Sequence, residues 1–481
     1  ILDPYTVKFE LNTPYGPFLP LLTFVGSMII PHNETLFPFD ENLDTASDIL
    51  VGTGPYKYEY YNPEVEVKFK AFDNYWRGEA YFEDLIFKIF NDRNQRNEAL
   101  LNYEIDILLD PFQDYFNNIT TSEHHNLINA GSDLTTSYLG MNNHLIPVNV
   151  RKAISYAINY SYILENLLDG YGQRLKSPVP QGITYSNYSF NVATFNVNES
   201  RLAMQAAGYG VGHDVNDDLW WESQTFLTYN YTYNIGNSIR ENIYDVLVDN
   251  LGKIGIQVND AGTTWSEFIY SLYEIGDRSR DDIMLYWLGW LPDYNDPSNF
   301  LNPLFTNRSI ASNGAQVNDP HVQLWMEQAL FETNPIIREQ LYDAIQKRLV
   351  EEVYPWAFGF TGINFDACHK SIRGFPSNPM QKAYFYPCFI DQPPIWDPVP
   401  TDQSIDFGEP LFYDVNASDD YGIDKYWIND TVTFNIGDTG ILTNISNLFI
   451  GDYWIEIFVN DTNGNIISIT IKITVLDTVA P

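Results

Sequence analysis

Apolar positions in this chain fall into short runs and helical stripes up to about residue 392, then settle into alternation. The run Val65-Glu-Val-Lys-Phe-Lys70 predicts a half-buried strand, because successive side chains of a strand face opposite sides. Asp282-Ile-Met-Leu-Tyr-Trp287 is apolar after its first residue and predicts a strand covered on both faces. Val150, Ala153, Ile154, Ala157 and Ile158 recur at helical spacing, so this stretch predicts an amphipathic helix packed on a sheet. Residues 225–232 read as a strand and 254–258 as another. Between them, 239–251 reads as a helix with Ile243, Val246 and Leu247 inward and Gly252 as its stop. Strand, helix and strand in that order predict a parallel α/β lobe. Asn334-Pro335 predicts a further helix start, with a buried stripe of Ile337, Leu341, Ile345 and Leu349. Near the end, Ile467, Ile469, Ile471, Ile473 and Val475 alternate with polar residues, and Asn463-Gly464 predicts a tight hairpin.

Composition narrows the function classes. A chain of 481 residues exceeds what one core serves and predicts two or three domains. A formal net charge of −37 repels phosphate backbones, which excludes nucleic acid as a partner, and it disfavours anionic lipid. The acidic excess also suits a secreted protein kept soluble by charge. No apolar run reaches the ~18 residues of a membrane span, and no signal peptide opens the sequence. Residues 1–11 read as a strand in full stride and 477–481 as a linker, so an export signal or membrane anchor is expected outside this sequence. Asn-x-Ser/Thr acceptors, Asn33, Asn118, Asn187, Asn307 and Asn444 among them, point outside the cell.

The stretch Gly289-Trp-Leu-Pro-Asp-Tyr-Asn-Asp-Pro-Ser-Asn-Phe-Leu301 follows the buried run and places two carboxylates, Asp293 and Asp296, among aromatic rings. A loop after the carboxyl end of a strand is where ligands usually bind in open α/β sheets. The same residues also make an ordinary Asx-rich turn, with Asn295 and Pro297 setting backbone angles. Pattern alone leaves both readings open.

That loop resembles the ligand loop of the family 5 extracellular solute-binding proteins, the peptide and dipeptide receptors of ATP-binding-cassette importers. Gly52-Thr-Gly-Pro-Tyr56, Asp73-Asn-Tyr-Trp-Arg-Gly78 and Glu104-Ile-Asp-Ile107 lie in the family's order, with Tyr103 where the family has Gly. Thr136-Ser-Tyr-Leu-Gly-Met-Asn-Asn143 resembles the strand by which the family crosses between lobes. The resemblance implies a two-lobed α/β fold of the type II periplasmic-binding-protein kind, in which Asp293 pairs with the ligand's α-amino group. It also implies that roughly the family's first hundred residues are missing. Residues 1–50 would then be a remnant of a small accessory lobe, 51–135 lobe I with a return segment at about 376–392, and 136–375 lobe II. Residues 393–400, rich in proline, read as a stiff linker. Residues 401–481 read as an immunoglobulin- or cadherin-like β-sandwich. Cys368 and Cys388 sit at a spacing a hairpin could bridge, and sequons and family together imply an oxidising compartment, so a disulfide is expected.

Other motifs carry less. There is no His-Glu-x-x-His, no phosphate-binding Gly loop ending in Lys-Ser/Thr and no Gly-x-Ser-x-Gly. Glu123-His124-His125 reads as an exposed polar turn, since adjacent side chains diverge. Gly208-Tyr-Gly-Val-Gly212 follows a helix rather than a strand, and Asp214-Val-Asn-Asp-Asp218 lacks the Gly and Glu of a calcium loop. Asp414-Val-Asn-Ala-Ser-Asp-Asp420 reads as solvated turns. No cofactor and no metal are expected.

The sequence therefore predicts a monomeric, non-catalytic extracytoplasmic receptor that closes on a short peptide and delivers it to transporter permease subunits. Asp293, Trp290, Tyr294, Trp287, Asn142 and Trp265 are the expected ligand contacts, and Asp296 is expected to hold the turn. The alternatives are an oligosaccharide ligand, for which the aromatic rings offer stacking faces, and an adhesive surface protein in which the sandwich does the work. Paired-acid hydrolysis by Asp293 and Asp296 is disfavoured, because a three-residue loop spacing does not flank a bond.

Overall fold

The computed structural model describes residues 3, 6–29, 52–273, 283–308, 312–376, 378–380 and 383–477. Its first sheet is antiparallel and pairs β1 (Tyr56–Asn62), β2 (Glu66–Ala71) and β3 (Asp84–Lys88) in sequence order. The alternating run around Val65 supplies the middle strand, and Phe69 packs edge-to-face between Tyr58 and Phe87.

The larger sheet is built from β4 (Ile107–Leu109), β5 (His125–Ser132), β6 (Thr136–Met141), β7 (Gly172–Arg174), β8 (Leu227–Asn234), β9 (Ile256–Thr263), β10 (Leu285–Trp290) and β11 (Trp356–His369). Its main path runs β4-β11-β6-β10-β8-β9, with β5 and β7 also paired to β11. β8, β9 and β10 are mutually parallel, whereas β6 lies antiparallel to β10. The apolar run in β10 now has its reason, since its alternate residues enter different cores. Leu285 and Trp287 pack with Ile154, Ile243 and Leu247, while Tyr286 and Leu288 pack with Phe300, Leu304 and Ile345. Helices Val148–Ala157 and Ser238–Gly252 present the predicted faces to the first core.

β11 is 14 residues long and serves two lobes. Its first part pairs with β6 in the large lobe, and its last part pairs with β5 and β4 over a small core of Leu100, Leu108, Ile119 and Ala367. The β5–β6 connection runs beside it, so two neighbouring segments carry the chain between lobes.

Several expectations are corrected. The described part of residues 1–11 forms no strand beyond an isolated bridge between Asp3 and Thr6, and Val7, Phe9 and Leu11 are exposed. Downstream, Gly16 N–H donates to Leu330 O at 2.8 Å, which lays this segment on the large lobe. Residues 30–51, with the sequon at Asn33, lie outside the described residues. Helix Pro335–Arg348 starts as predicted, the Asn334 side chain accepting from Ile336 N and Ile337 N. Leu341, Ile345 and Leu349 of the expected stripe face the core, whereas Ile337 is exposed and Arg338, Tyr342 and Gln346 are buried in addition. His125 is buried rather than part of an exposed turn, its ring 5.8 Å from that of His369. Cys368 and Cys388 are free thiols, and both are buried. Burial pushes each thiol up to about 11, with the neighbouring Cys368 adding to the rise at Cys388. Three of the sequon asparagines use their amides internally: Asn187 donates to Asp343, Asn307 to Asn318 and Asn444 to Ser446 O.

The C-terminal region is all β. Strands Gln403–Asp406, Ile466–Leu476, Gly451–Asp461 and Ile423–Ile428 form one sheet, and Phe412–Asp414, Ile441–Asn444 and Phe434–Ile436 the other. Ile455, Ile457, Ile471 and Ile473 meet Leu411, Phe434 and Leu442 between them. Asn463-Gly464 turns the long hairpin as predicted, Gly464 taking φ +91°. The linker begins inside this unit, because Ile395–Trp396 pairs with Ala417–Ser418 and Trp396 packs on the sandwich core. At the junction the buried Asp391 carboxylate accepts from Asn463 Nδ2 at 3.0 Å and Asn465 Nδ2 at 2.8 Å, beside Arg373 Nε at 3.3 Å. Phe389 stacks on Tyr421 there, ring centroids 4.8 Å apart.

Candidate functional site

Because β8, β9 and β10 are parallel, their carboxyl ends at Asn234, Thr263 and Trp290 share one edge of the sheet. The loop from Leu291 to Pro297 springs from that edge and leads into helix Ser298–Phe305. It lies beside the crossing between lobes, since Trp290 pairs with Thr136, the first residue of β6. A Cβ on Gly289 would sit 2.9 Å from Thr136 O, so the close approach of β10 to the crossing requires glycine.

The two carboxylates of the loop have opposite surroundings. Asp296 is 1% exposed and is held bidentately by Arg338, Nη1 to Oδ2 at 2.7 Å and Nη2 to Oδ1 at 2.9 Å. Ser298 N–H donates to its Oδ1 at 2.9 Å, and the Tyr342 hydroxyl, itself accepting from Arg338, lies 3.4 Å away. Burial works against the Arg338 charge, yet the hydrogen bonds to Asp296 carry its pKa above the usual arginine value. Burial, with Asp296 beside it, likewise raises the Tyr342 phenol. Asp296 is therefore the structural anchor of the loop. Sequence gave no sign of its partner 42 positions away; the i, i+4 pair Arg338 and Tyr342 on one helix face was the available hint.

Asp293 is half-buried, and its backbone N–H donates to Asn299 Oδ1 at 2.8 Å. Among the described residues its carboxylate takes one hydrogen bond, from Asn299 Nδ2 at 3.2 Å. Asn299 Oδ1 is also 3.4 Å from Trp290 Nε1, and Tyr294 Oη lies 3.3 Å from Ser298 Oγ. Asn295 Oδ1 accepts from Thr184 N–H at 2.9 Å, fixing the loop from its other side. The outcome is a rigid loop carrying one carboxylate that retains capacity for another donor.

Trp265 opens the helix after β9 on this same edge, 52% exposed, with the Arg240 guanidinium 5.6 Å from its ring centre. Trp265 thus lies on the same edge as Trp290, Asp293 and Tyr294, with β8 between its strand and theirs. Two expected contacts are corrected. Trp287 is 1% exposed, donates from Nε1 to Ser137 Oγ at 2.7 Å and packs on Phe360, so it is core. Asn142 is buried at the other end of β10, donating to Ile283 O and accepting from His144 N–H, about 20 Å along the sheet from the loop. Alternation inside a strand buried on both faces does not say which side a ligand would see, and a residue beyond a strand's far end is out of reach.

Among the described residues no group of three His, Cys, Asp or Glu side chains is placed to hold a metal ion. No helix among them is long and apolar enough to cross a membrane.

Two lobes joined by two adjacent crossings, with a rigid loop at the parallel-strand edge beside them, define a receptor that holds a solute between lobes. Residues 1–312 match the family model described as bacterial extracellular solute-binding proteins, family 5 Middle, and the chain belongs to that family. It is 24% identical over 397 residues to heme-binding protein A of Haemophilus influenzae, covering 81% of this chain and 69% of that protein. Identity to the dipeptide-binding protein of Escherichia coli is 24% over 390 residues, 80% of this chain and 70% of the relative. Among solved structures, the periplasmic binding protein DppA of Helicobacter pylori in complex with the peptide STSA superposes with a TM-score of 0.64 at 21% identity, covering 81% of this chain and 73% of that one. HbpA2 of Haemophilus parasuis gives 0.68 at 23% identity, covering 82% and 75%. The fold is that of the type II periplasmic binding proteins. The family is one of substrate-binding proteins rather than enzymes.

Proposed function

We propose that this chain receives short peptides outside the cytoplasm and delivers them, as a monomer, to the permease subunits of an ATP-binding-cassette importer. The carrying observation is the contrast within the loop: Asp296 is paired with a buried arginine, whereas the half-buried Asp293, at the carboxyl edge of the parallel strands, accepts one hydrogen bond among the described residues. A free α-amino group carries a full charge and needs a carboxylate when it is taken out of water. Asp293 meets that need, with Trp290, Tyr294 and Trp265 as walls for the peptide's side chains. Dipeptide- and peptide-binding relatives support the reading. The C-terminal sandwich, which we take to be immunoglobulin-like, and an anchor beyond this sequence would hold the receptor at the cell surface. An oligosaccharide ligand is the second reading, favoured by the exposed ring of Trp265. Titration calorimetry with a panel of unblocked dipeptides to pentapeptides and of oligosaccharides separates them: the peptide reading expects micromolar or tighter binding of peptides and none of sugars.

A further inference from the structure

At the crossing between lobes, besides the backbone pairing of β11 with its neighbours, one carboxylate ties the two segments together. Asp133, in the β5–β6 connection, accepts at Oδ1 from Thr135 N–H at 2.8 Å, Thr361 Oγ1–H at 2.9 Å and Gly362 N–H at 3.1 Å. Its own N–H donates to Gly362 O at 3.0 Å, and Ser132 Oγ lies 3.0 Å from Thr361 Oγ1. Thr361 and Gly362 belong to β11, so both crossing segments are tied to this side chain. A Cβ on Gly362 would fall 2.5 Å from Asp133 Oδ2, and Leu134 takes φ +56°, a conformation that leucine adopts at a cost. Burial raises the Asp133 pKa while these hydrogen bonds oppose the rise. On the other side of β11, Phe360, Thr361 and Gly362 pair with β7, Tyr171 O accepts from Ile363 N–H at 3.1 Å, and the Tyr171 ring packs on Phe116 and Phe365.

The clamp is also joined to the ligand loop. Thr136 lies three residues after Asp133 and pairs with Trp290, and Trp290 and Asp293 share Asn299. We propose that Asp133, clamping Thr361 and Gly362, is the positioning residue of the hinge: it confines lobe motion to rotation about this point and holds the β10 edge in place for the ligand. This inference deepens the receptor reading and rests on its two-lobed motion, but not on the ligand's identity. The side chain touches no ligand; it acts through the geometry of the crossing.

The test is the distribution of distances between spin labels at exposed positions in the two lobes, Glu104→Cys and Asp245→Cys, in the ligand-free protein. The buried native thiols do not compete for label. Asp133→Ala should broaden the distribution at least two-fold, and Thr361→Val, which removes one donor at nearly constant shape, should broaden it less. Asp133→Asn retains an acceptor oxygen and should restore a distribution close to wild type, a rescue that a merely structural loss of charge would not give. Should Asp133→Ala fail to fold, Thr361→Val and Asp133→Asn still decide the matter. Distributions unchanged in folded Asp133→Ala or in Thr361→Val would overturn the proposal. Because no ligand is present, failure here differs from failure of the peptide reading, which is judged by calorimetry alone.

Discussion

At the scale of single residues, the loop separates two aspartates that differ by three positions. The turn-holding role of Asp296 was legible from its Asx-rich surroundings, but Arg338 was hidden because a helix stripe is read from apolar spacing. Arg338→Ala should cost about 3–5 kcal/mol in denaturant unfolding, since it strands a buried carboxylate. Arg338→Met combined with Asp296→Leu should recover most of that loss. A loss below ~1 kcal/mol for the single change would contradict the anchoring role. The thiols give a second residue-scale expectation. With both held near 11, the thiolate fraction at pH 8 is about a hundred-fold below that of an ordinary cysteine. Alkylation should be slow on the native protein, rise with pH toward 11, and reach both thiols at once after unfolding. An intact mass that changes on reduction would instead restore the disulfide.

At the scale of elements, strands and helices with one dominant period were legible: β2, β10, the helices on the first core and the Asn463-Gly464 hairpin. The failures have separate causes. Residues 1–11 carry a strand pattern without a paired neighbour among the described residues, and a strand without a partner has no ladder to form. Helix Pro335–Arg348 keeps Leu341, Ile345 and Leu349 of the predicted stripe on the core, and only Ile337 is displaced, where Arg338 turns inward to pair with Asp296. Trp287 was assigned to the ligand because it neighbours the loop in sequence, whereas β10 buries it. Gly289→Ala tests the close approach of β10 to β6. The added methyl would meet backbone rather than a movable side chain, and should cost about 1–3 kcal/mol and weaken ligand binding together. A neutral effect on both would show that the two strands can part.

At the scale of the whole molecule, the two-lobed architecture was legible through resemblance and the sandwich through its period of two. How the units join was not, because Asp391 and Asn465 are 74 positions apart and neither belongs to a pattern. Asp391→Ala should expose the segment around residues 391–400 to proteases that leave the wild type intact. Equal cleavage of both would mean that the Asp391 contacts do not hold the sandwich to the lobe. The central claim, that Asp293 pairs with a peptide's α-amino group, is tested most directly by a double cycle in calorimetry, with free and N-acetylated forms of one peptide titrated into wild type and Asp293→Asn. The account predicts that acetylation and the substitution each cost about 2–5 kcal/mol alone. Together they should cost little more than either, because both remove the same interaction. Additive losses, or tight binding of a sugar unaffected by Asp293→Asn, would contradict it.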